Sequence, residues 1–92
     1  MKISKHTSAE GDIFYYNENN ELHNENDEPA AILNIFGKKT KYWYHHNNIH
    51  RENGPAIEHH SGSRSWYLNG KWLQNIKSQE EFERYLRLIA FQ

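Results

Sequence analysis

The sequence predicts a mainly β, α+β fold, in which an antiparallel β-meander of hairpin repeats is covered by a C-terminal helix. Three observations support this fold class. An aromatic segment followed by an asparagine-containing turn occurs three times along the chain. Aromatic and apolar residues alternate with a period of two in the segments before these turns, as they do in strands. The final segment instead spaces its apolar residues as a helix does.

The repeat is clearest in two segments, which begin with Trp-Tyr at Trp43 and Trp66, and a fainter copy begins at Tyr16. Asn-Gly is typical of type I′ hairpin turns, because both central residues need a positive φ that Asn and Gly tolerate. The remaining turns are indicated by Gly, Pro and Ser. The predicted turns are Asn19-Asn20, Asn47-Asn48, Asn53-Gly54-Pro55, Ser61-Gly62-Ser63 and Asn69-Gly70.

Between the turns lie segments rich in β-branched and aromatic residues, which predict strands. These strands are Asp12–Tyr16, Ala30–Phe36, Lys41–His46, Pro55–His60 and Arg64–Leu68. Short return segments follow the asparagine turns at Leu22–His23, Ile49–His50 and Lys71–Leu73. Because Trp43 and Trp66 occupy matching repeat positions, we expect both to fill the core. Tyr44, Tyr67 and Trp72 are expected at the surface.

The C-terminal segment predicts a helix over 78–91. Ser78 followed by Glu81 matches a capping box, and further acidic residues in the first turn suit the positive end of the helix dipole. The apolar stripe consists of Phe82, Tyr85, Leu86 and Ile89, at spacings i, i+3, i+4 and i+7. We expect this stripe to lie against the sheet.

Length and composition limit the classes of protein to which the chain can belong. With 92 residues it forms one small domain, 1–92, of which 12–74 are the hairpin repeats. The absence of cysteine excludes a disulfide framework, a thiol catalyst and a Cys-ligated zinc site. No apolar segment approaches the about 20 residues of a membrane-spanning helix, and no secretory leader is recognisable. We therefore expect a cytoplasmic protein with no membrane partner.

Charge is distributed unevenly along the chain. Residues 1–30 carry two lysines against seven acidic residues, whereas residues 31–77 carry seven lysines and arginines against two acidic residues. Opposite charges orient docking partners, so the acidic segment is a candidate for docking a basic partner surface. Its candidate residues are Glu18, Glu21, Glu25, Asp27 and Glu28. A solvated polar hairpin is the alternative interpretation.

The basic part of the chain is interspersed with aromatic residues. Basic grooves lined by aromatic stacking platforms hold single-stranded RNA, so this composition suits RNA as well as a protein partner. The candidates for partner or RNA contact are Lys38, Lys39, Lys41, Tyr44, Arg51, Arg64, Tyr67, Lys71 and Trp72. A solvated face with scattered charges is again the alternative.

The seven histidines and one consecutive triplet are the candidates for chemistry. His45-His46 and His59-His60 are adjacent pairs, and adjacent strand residues point to opposite faces, so we predict no metal site and no cofactor. The triplet His50-Arg51-Glu52 contains the residue types of acid–base catalysis, but it directly precedes a turn. No nucleophile elbow or phosphate-binding loop appears, and we predict that the protein is not an enzyme.

Two motifs resemble the hairpin repeats of MORN-variant proteins, a group that includes proteins labelled as YwqK-type antitoxins. They are Ile-His-Arg-Glu-Asn-Gly-Pro-Ala, over 49–56, and Trp-Tyr-Leu-Asn-Gly-Lys, over 66–71. The resemblance covers 12–74 and implies that Arg51 and Glu52 brace the Gly-Pro turn. Where the repeat has His-Arg after the last hairpin, this chain has Leu73-Gln74. The array therefore ends there, with the helix as its cap.

A short, asparagine-rich protein with these repeats is similar to small phage-encoded accessory proteins. The resemblance implies a non-enzymatic counter-defence inhibitor that binds and neutralises a bacterial toxin or defence protein, such as a toxin–antitoxin endoribonuclease, with RNA as an assisting ligand. The alternative is an RNA-binding module or a sponge for a nucleotide signal. Because a three-hairpin sheet has open edges, a homodimer is a further expectation, and the sequence leaves the oligomeric state open.

Overall fold

The fold is described for residues 2–90 from a computed structural model. The elements are β1 (Ser4–Thr7), β2 (Ile13–Tyr16), β3 (Ala31–Ile35), β4 (Lys38–Tyr42), β5 (Tyr44–His45), β6 (Asn48–Ile49), β7 (Ile57–Glu58), β8 (Arg64–Ser65), β9 (Tyr67–Leu68), β10 (Lys71–Trp72) and α1 (Gln79–Ile89). Within residues 2–90, no helix has both the length and the apolar character needed to span a membrane.

Most of the structure is antiparallel β-sheet. Six strands form one sheet in the order β1-β2-β3-β4-β7-β8, and β5-β6 and β9-β10 form two further hairpins. Successive hairpins are joined by backbone hydrogen bonds: Asn47 N–H donates to the Leu22 carbonyl, and Gly70 N–H to the Ile49 carbonyl, at 2.9 and 2.8 Å. The predicted antiparallel architecture with a single C-terminal helix is confirmed.

The first repeat starts one residue earlier than the repeat pattern in the sequence predicts. In the second and third repeats, the tryptophan carbonyl accepts a hydrogen bond from the residue seven positions later. In the first repeat, the Tyr15 carbonyl accepts from His23 N–H at 3.1 Å, eight positions later. Tyr15 rather than Tyr16 therefore matches the two tryptophans. The turn of the first repeat is therefore one residue longer than the other two, and Asn20 in this turn adopts a φ of 60°.

The second hairpin also turns one residue earlier than predicted. His45 pairs with Asn48, so the central turn residues are His46 and Asn47, with φ of 50° and 71°. The predicted Asn47-Asn48 turn is therefore wrong. Asn tolerates the left-handed region at either position, and the cross-strand pairing rather than the turn residues sets the register.

Strand β1 was not predicted, and the strand predicted over Lys41–His46 is divided between β4 and β5 in the structure. Strand β1 is exposed along its whole length and lacks the alternation that identifies a strand, yet it pairs with β2 at the edge of the sheet. Strand β4 begins at Lys38 rather than Lys41, because Phe36 and Gly37 form the turn after β3, with φ of 50° and 85°.

The helix packs on the third repeat. The Ser78 hydroxyl accepts a hydrogen bond from Glu81 N–H at 3.2 Å, which confirms the predicted N-cap. Phe82 is fully buried, and its ring centroid lies 6.4 Å from that of Trp66 in a cluster that Leu73 completes. The helix therefore covers the end of the repeat array. Residue 91 of the predicted helix lies outside the described residues.

Candidate functional site

The alternation along the strands divides the sheet into two chemically different faces, since residues paired across strands share a face. One row across the sheet consists of His6, Phe14, Ala31, Tyr42, Ile57 and Ser65. The next row, which points the other way, consists of Thr7, Ile13, Ile32, Lys41, Glu58 and Arg64. The first row is largely aromatic and apolar, and the second ends in charged residues.

The first row continues into the hairpins as a surface that we call the tyrosine face. It consists of Phe14, Tyr16, Tyr42, Tyr44, Tyr67 and Trp72. Each repeat places a tyrosine there beside a paired apolar residue, in the pairs Tyr16–Leu22, Tyr44–Ile49 and Tyr67–Trp72. Its residues are half-buried, except for Trp72, which is 53% exposed.

The helix and the buried tryptophans lie on the side opposite the tyrosine face. Trp66, which precedes Tyr67, is 1% exposed and packs on Phe82 of the helix. Trp43, which precedes Tyr44, is 6% exposed. Both tryptophans fill the core, as predicted. The pleat thus sends each tryptophan inward and the following tyrosine to the partly exposed face.

Three tyrosines on this face lie close together. The ring centroids of Tyr42 and Tyr44 are 6.4 Å apart. Burial raises the pKa of the Tyr44 phenol above its ordinary value, and the neighbouring phenols of Tyr42 and Tyr67 raise it further. The Tyr44 phenol is therefore an uncharged hydrogen-bonding group on an aromatic surface at neutral pH.

The structure divides the predicted partner-binding residues between the two faces. Lys38, Tyr44, Tyr67 and Trp72 share the tyrosine face, whereas Lys39, Lys41, Arg64 and Lys71 point the other way. Lys39, Lys41 and Arg64 line a shallow cleft of about 330 Å³ there. Within residues 2–90, these side chains do not form the single basic groove interleaved with aromatic rings that the composition suggested. The reason is that neighbours such as Lys41 and Tyr42 point to opposite faces.

Arg51 is a structural residue rather than a free cation. Its Nε and Nη2 donate to the two carboxylate oxygens of Asp27 at 3.0 Å each, and Nη1 donates to the Pro55 carbonyl at 3.1 Å. The guanidinium lies 3.9 Å from the Trp43 ring centroid, and Glu58 accepts a further hydrogen bond at 3.3 Å. Its side chain is 15% exposed. Arg51 thus contacts the Gly-Pro turn as expected, whereas the Glu52 carboxylate contacts His50 instead.

The acidic residues predicted to dock a partner do not lie together, and each has different contacts. Asp27 is occupied by Arg51. Glu18 accepts a hydrogen bond from the Lys2 backbone N–H at 3.1 Å. Glu21 accepts from Asn17 Nδ2 at 2.8 Å and contacts His46 Nδ1 at 2.9 Å, and the Asn17 bond is the main cause that lowers its pKa.

Glu25 and Glu28 lie in an open cleft of about 300 Å³ between the first two repeats, together with Glu52. Trp43 and Arg51 also line it. A nucleotide would need free cations around its phosphates, but the guanidinium in this cleft is bound to a carboxylate. The cleft therefore suits a cationic group better than a nucleotide.

Three histidines meet at the junction of the first two hairpins. The ring centroids of His23, His45 and His46 are 4.4 to 4.7 Å apart. The alternation argument is wrong for His45 and His46, because His46 lies in the turn with a positive φ. Burial lowers the pKa of His45, and the nearby rings of His23, His46 and His50 lower it further. His23 was not predicted to join this group, although it occupies the same repeat position as His50.

The acid–base triplet does not converge on one point. His50 Nδ1 accepts a hydrogen bond from Asn69 N–H at 2.9 Å, and its Nε2 lies 3.1 Å from Glu52 Oε2. Both ring nitrogens are thus engaged, while Arg51 faces Asp27. Acid–base work on a phosphate needs two titratable groups and a cation around one position, and these contacts do not provide that arrangement.

One exposed aromatic residue, Phe36, is not predicted by the sequence pattern. Phe36 is 103% exposed at the tip of the β3–β4 hairpin, with a φ of 50°. This region is unfavourable for a bulky side chain, and strained residues often occur where a ligand is bound. The sequence predicted only a turn that tolerates insertion at this point. An aromatic residue directly before Gly37, where Asn is common, was the available indication.

Comparison with known proteins adds no relative to this description. No protein-family model, curated protein or solved structure matches the chain.

Proposed function

We propose that the protein is a non-enzymatic inhibitor that binds a partner protein through its tyrosine face. The observation that carries this proposal is that aromatic side chains from all three repeats share one partly exposed face of the sheet. Tyrosine and tryptophan are enriched at protein interfaces, because they bury a large area and can still donate a hydrogen bond. Three adjacent tyrosines and Trp72 provide the centre of such an interface.

The charge of this face favours a protein over RNA. Among the strand residues on this face, Lys38 and His6 are the basic ones, whereas Lys39, Lys41 and Arg64 lie on the opposite face. RNA affinity depends mainly on cations that neutralise phosphates, and these must lie beside the stacking platform. A mainly aromatic face with few basic residues instead suits a protein surface.

Phe36 supports the proposal independently of the tyrosines. Phe36 is fully exposed on a tight turn, and an aromatic side chain has only two torsions to fix on binding. Aromatic anchors that enter a pocket on the partner contribute a large share of the binding energy in many interfaces. Phe36 fits this role at the end of the β3–β4 hairpin.

The class of partner follows from the resemblance and from the acidic cleft. MORN-variant repeats of this kind suggest a phage counter-defence protein acting in the host cytoplasm, with a bacterial toxin or defence protein as partner. An endoribonuclease toxin presents a basic surface to its RNA substrate. Glu25, Glu28 and Glu52 complement such a surface, and opposite charges accelerate and orient docking.

The test is a pull-down from bacterial lysate with the full chain, with and without ribonuclease, followed by affinity measurement on the captured protein. We expect one protein to be captured equally in both samples. Tyr44→Ala with Tyr67→Ala should weaken its binding by at least about tenfold, since hot-spot aromatics contribute that much or more. Lys39→Ala with Lys41→Ala removes two residues from the opposite face and should leave binding unchanged.

Two results would contradict the proposal. Capture that disappears after ribonuclease, together with loss of binding in the lysine variant, would favour the RNA-binding alternative. A captured protein whose affinity is unchanged by the tyrosine substitutions would show that another surface binds it. Circular dichroism of each variant separates a lost contact from a lost fold.

A further inference from the structure

We infer that His23, His45 and His46 form a binding site for a transition-metal ion, and that Zn²⁺ is the best match to this donor set. Each of the three side chains offers one ring nitrogen, and these nitrogens all lie within 4.8 Å of one another. Imidazole is the commonest protein ligand of such ions, and three histidines are sufficient for a zinc site with one further ligand.

His23 provides an independent observation that points to a ligand. Its side chain is 1% exposed, and its buried Nε2 atom has no hydrogen-bond partner among residues 2–90. Glu25 Oε2 approaches this atom at 3.4 Å without the geometry of a hydrogen bond. Buried polar atoms in folded proteins are nearly always partnered, so an orphaned ring nitrogen needs an explanation. Once the proton has left Nε2, a metal ion beside His45 and His46 would supply the missing partner.

The other ring nitrogen of His23 sets a condition on binding. His23 Nδ1 accepts a hydrogen bond from the His46 backbone N–H at 3.2 Å, so the neutral ring carries its proton on Nε2. Coordination through Nε2 moves this proton to Nδ1. The hydrogen bond from the His46 backbone N–H is then lost, and a coordination bond to the metal replaces it. The turn shifts enough to separate this N–H from the new N–H at His23 Nδ1.

His46 is already oriented by its surroundings. Its Nδ1 lies 2.9 Å from Glu21 Oε1, an oxygen that also accepts from Asn17 at 2.8 Å. The carboxylate therefore favours a proton on Nδ1 and leaves the Nε2 lone pair for a metal. A carboxylate that holds the second ring nitrogen is the usual outer-shell partner of a metal-ligating histidine.

The distances are longer than in an occupied site, and the exposed rings can shorten them. Tetrahedral zinc with Zn–N bonds of about 2.0–2.1 Å brings ligand nitrogens to about 3.3 Å from one another. His23 is fixed by burial, whereas His45 and His46 are exposed at the hairpin turn and can rotate towards it. Glu25 or a water molecule would complete the coordination. The ion would thereby join the return segment of the first repeat to the turn of the second.

The test uses the full chain without a histidine tag, titrated with zinc chloride in an isothermal titration calorimeter after dialysis against a chelator. We expect one zinc ion per chain. His45→Ala with His46→Ala should reduce the affinity by more than the about 10- to 100-fold that loss of an outer-shell partner causes. Glu21→Gln, which removes such a partner, should fall within that range.

His59→Ala with His60→Ala is the matched control. These histidines are also adjacent, with ring centroids 4.1 Å apart, and their contacts are to Thr40 and Ser61. Zinc affinity should not change in this variant. An equal loss in both double variants, or no saturable binding by the original chain, would overturn the proposal.

Nuclear magnetic resonance tests His23 without a substitution in the core. In the unaltered chain, zinc should shift the His23 ring nitrogens and the His46 amide together, since the ion displaces the hydrogen bond between them. Zinc binding that leaves both resonances in place would also overturn the proposed site.

Discussion

Arg51 and Asp27 face each other through two parallel hydrogen bonds, Nε to Oδ1 and Nη2 to Oδ2, both 3.0 Å long. The Asp27 carbonyl also accepts a hydrogen bond from Trp43 Nε1 at 2.9 Å, and the Arg51 guanidinium lies over the same ring. The loop of the first repeat is thus fastened to the buried tryptophan of the second. Planar, bidentate pairing of this kind is specific to arginine, and lysine cannot reproduce it.

The Arg51 guanidinium approaches Gly54 so closely that a larger residue at position 54 would displace it. A Cβ atom added at Gly54 would lie 2.9 Å from Arg51 Nη1 and 3.0 Å from Cζ. We expect Gly54→Ala to lower the free energy of unfolding by about 1–3 kcal/mol, because Arg51 must move away from its partners. Urea denaturation followed by circular dichroism measures this change.

A double-mutant cycle tests the cause. In an Arg51→Ala background the obstructing atoms are absent, so Gly54→Ala should be less destabilising there. We expect a coupling energy of about 0.5–3 kcal/mol between the two positions. An equal effect of Gly54→Ala in both backgrounds would mean that crowding against Arg51 is not the reason.

Phe82 should be the most sensitive position of the helix. It is fully buried beside Trp66, so Phe82→Ala is expected to lower the free energy of unfolding by about 3–5 kcal/mol. Leu88 lies on the same helix and is 55% exposed, so Leu88→Ala should change it by no more than about 0.5 kcal/mol. Comparable effects in chemical denaturation would contradict the packing of the helix on the third repeat.

Local sequence patterns were sufficient to predict the elements whose stability depends on a few neighbouring residues. The Asn69-Gly70 turn and the capped helix after Ser78 each require particular residues at particular positions. Strand β1 was missed because an exposed edge strand needs no alternation. The turn at His46-Asn47 was misplaced by one residue, because its register is set by pairing with the opposite strand.

The candidate site was predictable only in part. Matching repeat positions were enough to expect Trp43 inside and Tyr44 outside. The predicted strand over Lys41–His46 already implied that Lys41 and Tyr42 point to opposite faces. It did not show that Lys38 and Lys39 belong to the same strand, which begins at Lys38. The meeting of His23 with His45 depends on how two repeats stack, and no pattern within one repeat contains that information.

The hydroxyl of Ser78 holds the start of the helix by accepting from Glu81 N–H. Ser78→Ala leaves this N–H without its capping acceptor and should lower the free energy of unfolding by about 1 kcal/mol. Ser78→Asp keeps an acceptor oxygen at the N-cap and should retain most of the stability. Denaturation of the three proteins side by side gives the comparison, and a similar loss in the Asp variant would argue against capping.

Tyr44 predicts a specific loss of stability in alkali. Burial, with the nearby phenols of Tyr42 and Tyr67, raises the pKa of Tyr44 in the folded chain above its ordinary value of 10.0. The folded state therefore holds the phenolic proton more tightly than the unfolded state does. The resulting contribution to stability is complete below the unfolded pKa and is lost as pH rises through the folded pKa.

Tyr44→Phe removes the ionisable group and keeps the ring, so its free energy of unfolding should decline less steeply above pH 10.0 than that of the unaltered chain. Urea denaturation at a series of alkaline pH values measures both slopes, and phenolate absorbance follows the titration itself. Identical slopes would mean that the Tyr44 phenol ionises as easily in the folded chain as in the unfolded one.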